Sequence, residues 1–314
     1  MEHPLITIGL SCYNAADTIP KAIACAQKQD WPNLEFVIVD DGSKDNSVEV
    51  IKEIAKNEPR LRLIVHETNK WFPGALNTIL KEAKGEFIAF FDDDDESVAE
   101  RVSTQYKRIT DYEAQTGESL IACFCSGDRI YPNGYTVELE AIGSKGKVPH
   151  GEDVAQRLLY FGGPSDMFFG TGTPTCSLMA RKSTFIAAGG YDETIRRASD
   201  AEFAIRLGLK GGHFIGCTEK LLIQHSTESP DKSQEIKRDA TLAIVEKHRP
   251  YLETKGMYRY ARDWQKIRYC NFAKKYPEMF ARIFYLSLFY PVKVWSHLMK
   301  TGPARIKHER KMSA

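Results

Sequence analysis

The chain has 314 residues, 42 % of them hydrophobic and 27 % charged, with 43 Lys/Arg against 42 Asp/Glu. That length and balance fit one large globular domain, alone or with a substantial appendage, and exclude disordered and fibrous classes. A net charge of +1 argues against a broad nucleic-acid surface, and seven scattered cysteines without a Cys-x-x-Cys pair suggest neither a zinc site nor a disulfide framework.

Reduced thiols in a cytosolic setting are therefore expected. Pro4 to Leu10 reads as a first strand, lacking the basic region and apolar core of a signal peptide. The strand from Leu5 to Leu10 ends in a polar turn, Ser11-Cys12-Tyr13-Asn14. Asp17 or Thr18 is placed to cap a helix to about Gln29, stopped by Trp31-Pro32-Asn33. Leu34 to Val39 is the second strand, closed by Asp40-Asp41-Gly42-Ser43, and Asp45 then caps a helix from Ser47 to Lys56. Leu61 to Val65 is a third strand, Asn69 to Gly74 a loop, and Ala75 to Ala83 a helix.

Five apolar residues, Phe87-Ile88-Ala89-Phe90-Phe91, form the fourth strand, buried on both faces. It runs straight into Asp92-Asp93-Asp94-Asp95-Glu96. Four adjacent carboxylates repel one another unless water or a cation neutralises them. Mg²⁺ and Mn²⁺ are hard ions that take such oxygens together with substrate phosphate. In an extended segment Asp92 and Asp94 point to the same side. The strand–helix alternation up to this point implies a mostly parallel sheet flanked by helices. Ligands of such sheets sit beyond the carboxyl ends of the strands, so Ser11 to Asn14, Asp40 to Ser43 and Asp92 to Asp95 should meet at one crevice. Neither a Gly-x-Gly-x-x-Gly fingerprint nor a P-loop is present.

Downstream, Val98 to Glu113 reads as a helix and Leu120 to Tyr131 as one or two strands. Pro132-Asn133-Gly134 turns the chain into Tyr135 to Leu139, and Glu152 to Phe161 is helical. Gly162 to Gly172 is an aromatic loop on the substrate side, followed by a strand from Cys176 to Ala180 and a helix from Lys182 to Ala188. Ser199 with Glu202 reads as a capping box, which puts Asp200 in a first helical turn where the dipole favours a carboxylate. Gly212 to Gly216 and Lys220 to Gln224 look like short edge strands, and a polar loop runs from His225 through Ser233. Residues 231 to 249 and 257 to 276 read as helices.

Taken in order, Ile8 to Asn14, Val37 to Ser43, Gly85 to Asp95, Gly189-Gly190-Tyr191-Asp192-Glu193 and the Asp200 helix make the chain resemble family 2 glycosyltransferases over about residues 4 to 230. These are inverting enzymes of the nucleotide-sugar-dependent GT-A fold. The resemblance implies a catalytic domain over 1–230, with a nucleotide-binding half to about 115, an acceptor half from about 116, and a helical extension over 231–314. It assigns Asp41 to the nucleobase with Ser11 and Tyr13 beside it, and Asp92 and Asp93 to ribose or metal-bound water. Asn77 would line the donor pocket. Asp94, with Asp92 and His225, would hold Mn²⁺ or Mg²⁺, and Asp200 would be the general base. The family has Glu-Asp before that helix where this chain has Ser199-Asp200. The base is thus kept, and the Glu tied to sugar or acceptor recognition is not.

The implied reaction moves a sugar, from a UDP-sugar first of all, to a saccharide hydroxyl. A polyprenyl-diphosphate-linked intermediate of bacterial polysaccharide synthesis is the implied acceptor. Met279 to Lys300 is rich in aromatics, and from residue 293 onward there are six Lys/Arg against one Glu. That pattern suits a helix lying in an anionic membrane interface, or one packed on the catalytic domain. Ile283 to Val292, ten residues without a charge, is too short to span a bilayer. The expected setting is cytoplasmic and peripheral on the inner membrane. Two other readings stand beside this one. A sugar-phosphate nucleotidyltransferase would carry a Gly-rich basic loop where Ser11 to Asn14 stands. An inactive cation-binding or membrane-adaptor protein on the same fold would show a broken base or metal motif, and both motifs are intact.

Overall fold

The computed structural model describes residues 3–226 and 233–312. The expected polar loop beyond Ser226 lies outside them. The chain divides into two units. The first comprises Met1–Ile130, Thr136–Ala155 and Gly163–Ser226; the second comprises Tyr131–Tyr135, Gln156–Gly162 and Thr227–Ala314.

The first unit opens with strands β1 (Ile6–Cys12), β2 (Leu34–Asp40), β3 (Leu61–Val65) and β4 (Phe87–Asp92). Between them run helices α1 (Ile19–Gln27), α2 (Ser47–Ala55) and α3 (Trp71–Glu82). All pairings among these four strands are parallel. β2 is buried at every position and β4 at all but its last, as unbroken apolar runs require. Alternation still sorts the two faces. Ile6, Ile8 and Leu10 join Ile19, Ile23, Ile51 and Val102 in one core. On the other face a Cβ at Gly9 would stand 2.4 Å from Ile79 Cγ2, so glycine there lets α3 close onto the sheet.

Beyond β4 come β5 (Glu96–Ser97), α4 (Arg101–Thr116), β6 (Ile121–Ile130), β7 (Thr136–Leu139), α5 (Glu152–Tyr160), β8 (Leu178–Arg181), α6 (Lys182–Ala188), α7 (Ser199–Leu209) and β9 (His213–His225). The sheet order is β3-β2-β1-β4-β8-β6-β9-β5, with β7 on β6. Here the pairing is mixed: β8 is antiparallel to β4 and β6, β9 is parallel to β6, and β5 is antiparallel to β9.

Three local expectations shift. The two short edge strands are one strand, β9, lying between β6 and β5. Its exposed Thr218-Glu219-Lys220 reads as a break, but a bulge opposite Cys125 to Gly127 absorbs it and pairing resumes. Helix α3 starts at Trp71, not Ala75, because Asn69 Oδ1 accepts from Trp71 N at 2.8 Å and Pro73 is tolerated in a first turn. In α7 the N-cap is Ala198, at φ +58°, so Ser199 is already helical and no side chain caps the end.

The second unit contains α8 (Gln234–Lys247), α9 (Arg249–Thr254), α10 (Tyr258–Phe272), α11 (Tyr276–Phe289) and α12 (Pro291–Met312). Its centre is aromatic. The His297 ring lies 3.8 Å from Trp264 and 4.1 Å from Phe161, stacked on both, and Nδ1 meets the Tyr260 hydroxyl at 2.8 Å. Leu286 and Val294 are fully buried beside this stack's helices.

Candidate functional site

The parallel register sets three strand ends side by side, with Ser11 opposite both Val39 and Asp92, and Cys12 opposite Asp40. The loops that leave them are laced together. Asn14 N donates to Ser43 Oγ at 2.9 Å, Lys44 N to Asn14 Oδ1 at 2.7 Å, and Ala16 N to Asp45 Oδ2 at 3.0 Å. Asp40 Oδ1 accepts from Gly42 N and Ser43 N, at 3.1 and 3.0 Å, and so closes a turn that needs φ +78° at Gly42. Asp41 is buried. Its Oδ1 accepts from His66 Nδ1 at 2.7 Å and Lys70 N at 2.8 Å, and His66 Nε2 meets Thr78 Oγ1 at 2.9 Å. Tyr13 is exposed, and its N–H donates to Asp93 Oδ2 at 3.2 Å.

The acidic run is bounded by fixed donors. Asp95 Oδ1 accepts from His225 N at 3.0 Å, while Asp95 Oδ2 is buried without a partner among the described residues. Glu96 takes Lys21 Nζ at 2.6 Å and His225 Nε2 at 2.8 Å. Beneath the run lies Arg101, fully buried, with its guanidinium 4.2 Å from the Phe91 ring. Its nitrogens donate to Phe90 O at 2.7 Å, Ser97 Oγ at 2.9 Å and Gln105 Oε1 at 3.1 Å.

One cation against four carboxylates leaves the cluster short of positive charge. Burial first, then repulsion from Asp95, Asp94 and Asp93, raises the Asp92 carboxyl well above the usual range, and Arg101 opposes this. Burial and Asp94 push Asp93 up to about 7 and Asp95 up to about 6. Oxygen atoms of Asp92 and Asp95 and the sulfur of Cys176 lie within 4.8 Å of one another. Burial, then Asp92 and Asp95, raise the Cys176 thiol, which keeps it protonated and a poor ligand. The donor set is thus carboxylate oxygen, which fits a hard divalent cation, and the orphaned Asp95 Oδ2 is a vacant acceptor for one. Asp94 and His225, expected beside Asp92 at a metal, are not in the group with Asp95 and Cys176; His225 instead holds Asp95 and Glu96.

Asp200 stands half-buried in the first turn of α7, its Oδ1 accepting from Ala201 N at 2.8 Å. The helix is tied down by Arg206, which pairs with buried Glu202 at 2.9 Å and donates to Gly190 O at 2.7 Å. Next to that turn is Tyr191, buried and stacked on Phe203 at 4.8 Å. After burial, the charges of Asp200 and Asp92 both raise its hydroxyl, so both carboxylates act on one phenol. Asn77 bridges the same loop: its Oδ1 accepts from Tyr191 N at 2.8 Å, and its Nδ2 donates to Tyr191 O at 2.8 Å and Glu193 Oε1 at 2.9 Å.

Sequence reasoning missed Arg101, Cys176 and His66, and put Asp95 at the crevice without a ligand role. Arg101 had a signal, as the first cation after the acidic run Asp92 to Glu96 and Glu100. Cys176 had none, since it lies 80 positions along the chain from Glu96.

Residues 7–152 match the family model described as Glycosyl transferase family 2. Similar proteins include the UDP-Glc:alpha-D-GlcNAc-diphosphoundecaprenol beta-1,3-glucosyltransferase WfgD of Escherichia coli, 32 % identical over 142 residues, covering 42 % of this chain and 55 % of that protein. Another is the GalNAc(5)-diNAcBac-PP-undecaprenol beta-1,3-glucosyltransferase of Campylobacter jejuni, 32 % identical over 120 residues, covering 38 % of this chain and 39 % of that one. The chain spans about half the length, or less, of the curated relatives it matches. Among solved structures, Staphylococcus aureus TarS with UDP-GlcNAc superposes over 76 % of this chain and 65 % of its own, at TM-score 0.58 and 20 % identity. The mannosyltransferase PcManGT of Pyrobaculum calidifontis, with GDP-Man and Mn²⁺, covers 96 % of this chain and 80 % of its own, at TM-score 0.55 and 16 % identity. These likenesses show the fold, which is GT-A as the resemblance implied.

Proposed function

We propose that this chain, a family 2 glycosyltransferase sequence over residues 7–152, is an inverting transferase acting between a nucleotide-sugar and a saccharide hydroxyl. The observation that carries the reading is the meeting of the strand ends: the parallel register sets Ser11 opposite both Val39 and Asp92, and oxygens of Asp92 and Asp95 lie within 4.8 Å of one another there. A carboxylate cluster able to take a divalent cation is what a diphosphate leaving group needs. A UDP-sugar is the first donor to try and a polyprenyl-diphosphate-linked saccharide the first acceptor, because WfgD of E. coli carries both in its name.

In this reading Asp41, Ser11 and Tyr13 line the nucleoside end, and Asp93 holds ribose or metal-bound water. Asn77 lines the donor side through the Tyr191–Glu193 loop that it fixes. Asp92 and Asp94 face the cation, Asp95 adds its unpartnered Oδ2, and His225 holds the far edge of the cluster. A bound Mn²⁺ or Mg²⁺ would supply charge neutralisation at the diphosphate. Asp200 takes the proton of the acceptor hydroxyl as that oxygen attacks the anomeric carbon, and the C–O bond to the diphosphate breaks on the opposite face. An α-linked donor then gives a β-linked product. The chain works peripherally at the cytoplasmic face of the inner membrane; among the described residues no helix is long and apolar enough to cross a membrane.

The test is thermal stabilisation by UDP, GDP and dTDP, each with Mn²⁺ and with EDTA, followed by sugar release from the matching donor. A ligand at 100 times its Kd adds about 2.7 kcal/mol. A metal-dependent shift with one nucleotide supports the site and names the donor class. No shift with any of them moves weight to the adaptor reading.

A further inference from the structure

Helices α11 and α12 are apolar on two faces, and among the described residues only the inner one is packed. Inward, Leu286 and Val294 are fully buried and His297 is sealed in its aromatic stack. Outward, at steps of three or four residues within each helix, stand Phe280, Phe284 and Leu288 on α11 and Val292, Trp295 and Met299 on α12, between 58 % and 83 % exposed. A helix at a water surface carries polar side chains there. Six large exposed apolar residues in succession make a patch that needs an occupant.

The charge on this stretch says which one. Between Glu278 and Glu309 the chain carries five Lys/Arg and not one Asp or Glu. Lys300 and Lys307 are exposed among them. Arg282 and Arg305 are paired with Glu278 and Glu309 at 2.7 and 2.9 Å, which leaves Lys300 and Lys307 as exposed cations of the stretch. A two-fold contact would press these like charges together, which disfavours a second copy of the chain. A lipid surface answers both features, taking the rings and aliphatic chains at the acyl boundary while anionic headgroups meet the lysines. We propose that the outer face of α11 and α12 is a docking surface for an anionic bilayer, lying in the interface plane. It gives the peripheral localisation proposed above a physical partner, and rests on that reading.

The test is co-sedimentation of the full chain with vesicles of phosphatidylcholine alone and with added phosphatidylglycerol, at low and high salt. Binding should require the anionic lipid and weaken with salt. The triple variant Phe280→Ser, Phe284→Ser, Leu288→Ser should lose more than about tenfold in partitioning. Lys300→Gln with Lys307→Gln should weaken binding and flatten its salt dependence. All these positions are exposed, so the variants should melt at the wild-type temperature and keep any nucleotide–Mn²⁺ shift. Indifference to phosphatidylglycerol, unchanged partitioning of the triple variant, or a dimer in solution that the same substitutions dissolve would each overturn the inference. Vesicle binding without any nucleotide shift would instead overturn the transferase reading alone.

Discussion

Arg101 donates from Nη2 to the carbonyl oxygen of Phe90 at 2.7 Å, from a position with no exposure to solvent. That bond anchors a guanidinium that lowers both Asp92 and Asp95 against their own repulsion. A buried cation is costly alone and tolerable when its hydrogen bonds are filled and its counter-charges are near. Replacing it with Met, of similar length, removes the charge and leaves the carboxylates facing one another. Arg101→Met is expected to lose about 3–5 kcal/mol of stability in EDTA. Mn²⁺ should restore part of it, which thermal melting with and without the ion measures.

The opposite change should stabilise. Asp95 sits with Asp94 and Asp92 as like charges, and its Oδ1 bond from His225 N can be kept by an amide oxygen. Asp95→Asn is expected to raise stability by about 1 kcal/mol in EDTA, a gain of the kind found when functional repulsion is relieved. The same variant should lose the extra stabilisation that Mn²⁺ with nucleotide gives the wild type. A melt that falls in EDTA would refute the repulsion account.

Asp200 can be separated from binding. An amide in its place cannot accept the acceptor's proton, and it lies in the first turn of α7, outside the acidic run itself. Asp200→Asn is expected to keep the nucleotide–metal shift and to lose roughly 10²- to 10⁴-fold in transfer rate. Normal turnover in that variant would remove Asp200 from the base role.

The second unit should be acid-sensitive for a reason of its own. Burial first, then Lys293, Arg268, Arg157 and Lys300, push His297 down to about 3 from 6.5. The unfolded chain therefore binds a proton there that the folded chain refuses between those values. Stability from this group is complete above about pH 6.5 and falls as pH drops toward 3, by on the order of 4 kcal/mol. His297→Phe keeps the ring in its stack but leaves the Tyr260 hydroxyl without that partner. The variant should be less stable at pH 7 by about 1–3 kcal/mol and show a flatter acid slope in melts from pH 7 to 4.

What was legible in the chain is what rests on local pattern. Phe87 to Phe91 reads as a buried strand because five apolar residues in a row have no other home, and the following aspartates land at its carboxyl end. The meeting of the Ser11, Asp40 and Asp92 strand ends followed from parallel order alone. Contacts across long stretches were not legible. Cys176 enters the cluster from the short turn just before the antiparallel β8, and Arg101 from the start of α4, and no periodicity announces either placement. The Ser199–Glu202 capping pattern was present in letters, but Glu202 is buried against Arg206, and the left-handed Ala198 takes the cap position. For β9, polar residues in mid-strand masked a continuous element, because its own bulge opposite Cys125 to Gly127 absorbs them.

The bond from His225 N to Asp95 Oδ1 spans 130 residues of sequence. It has a consequence for the order of assembly. A ribosome adds about 5–20 residues per second, so Asp95 waits on the order of ten seconds before its donor is made. Over that interval the emerging β1–β4 segment carries its acidic turn without β9 beside it. The nascent segment should therefore remain locally open at this turn, and the site's last wall arrives with the final strand.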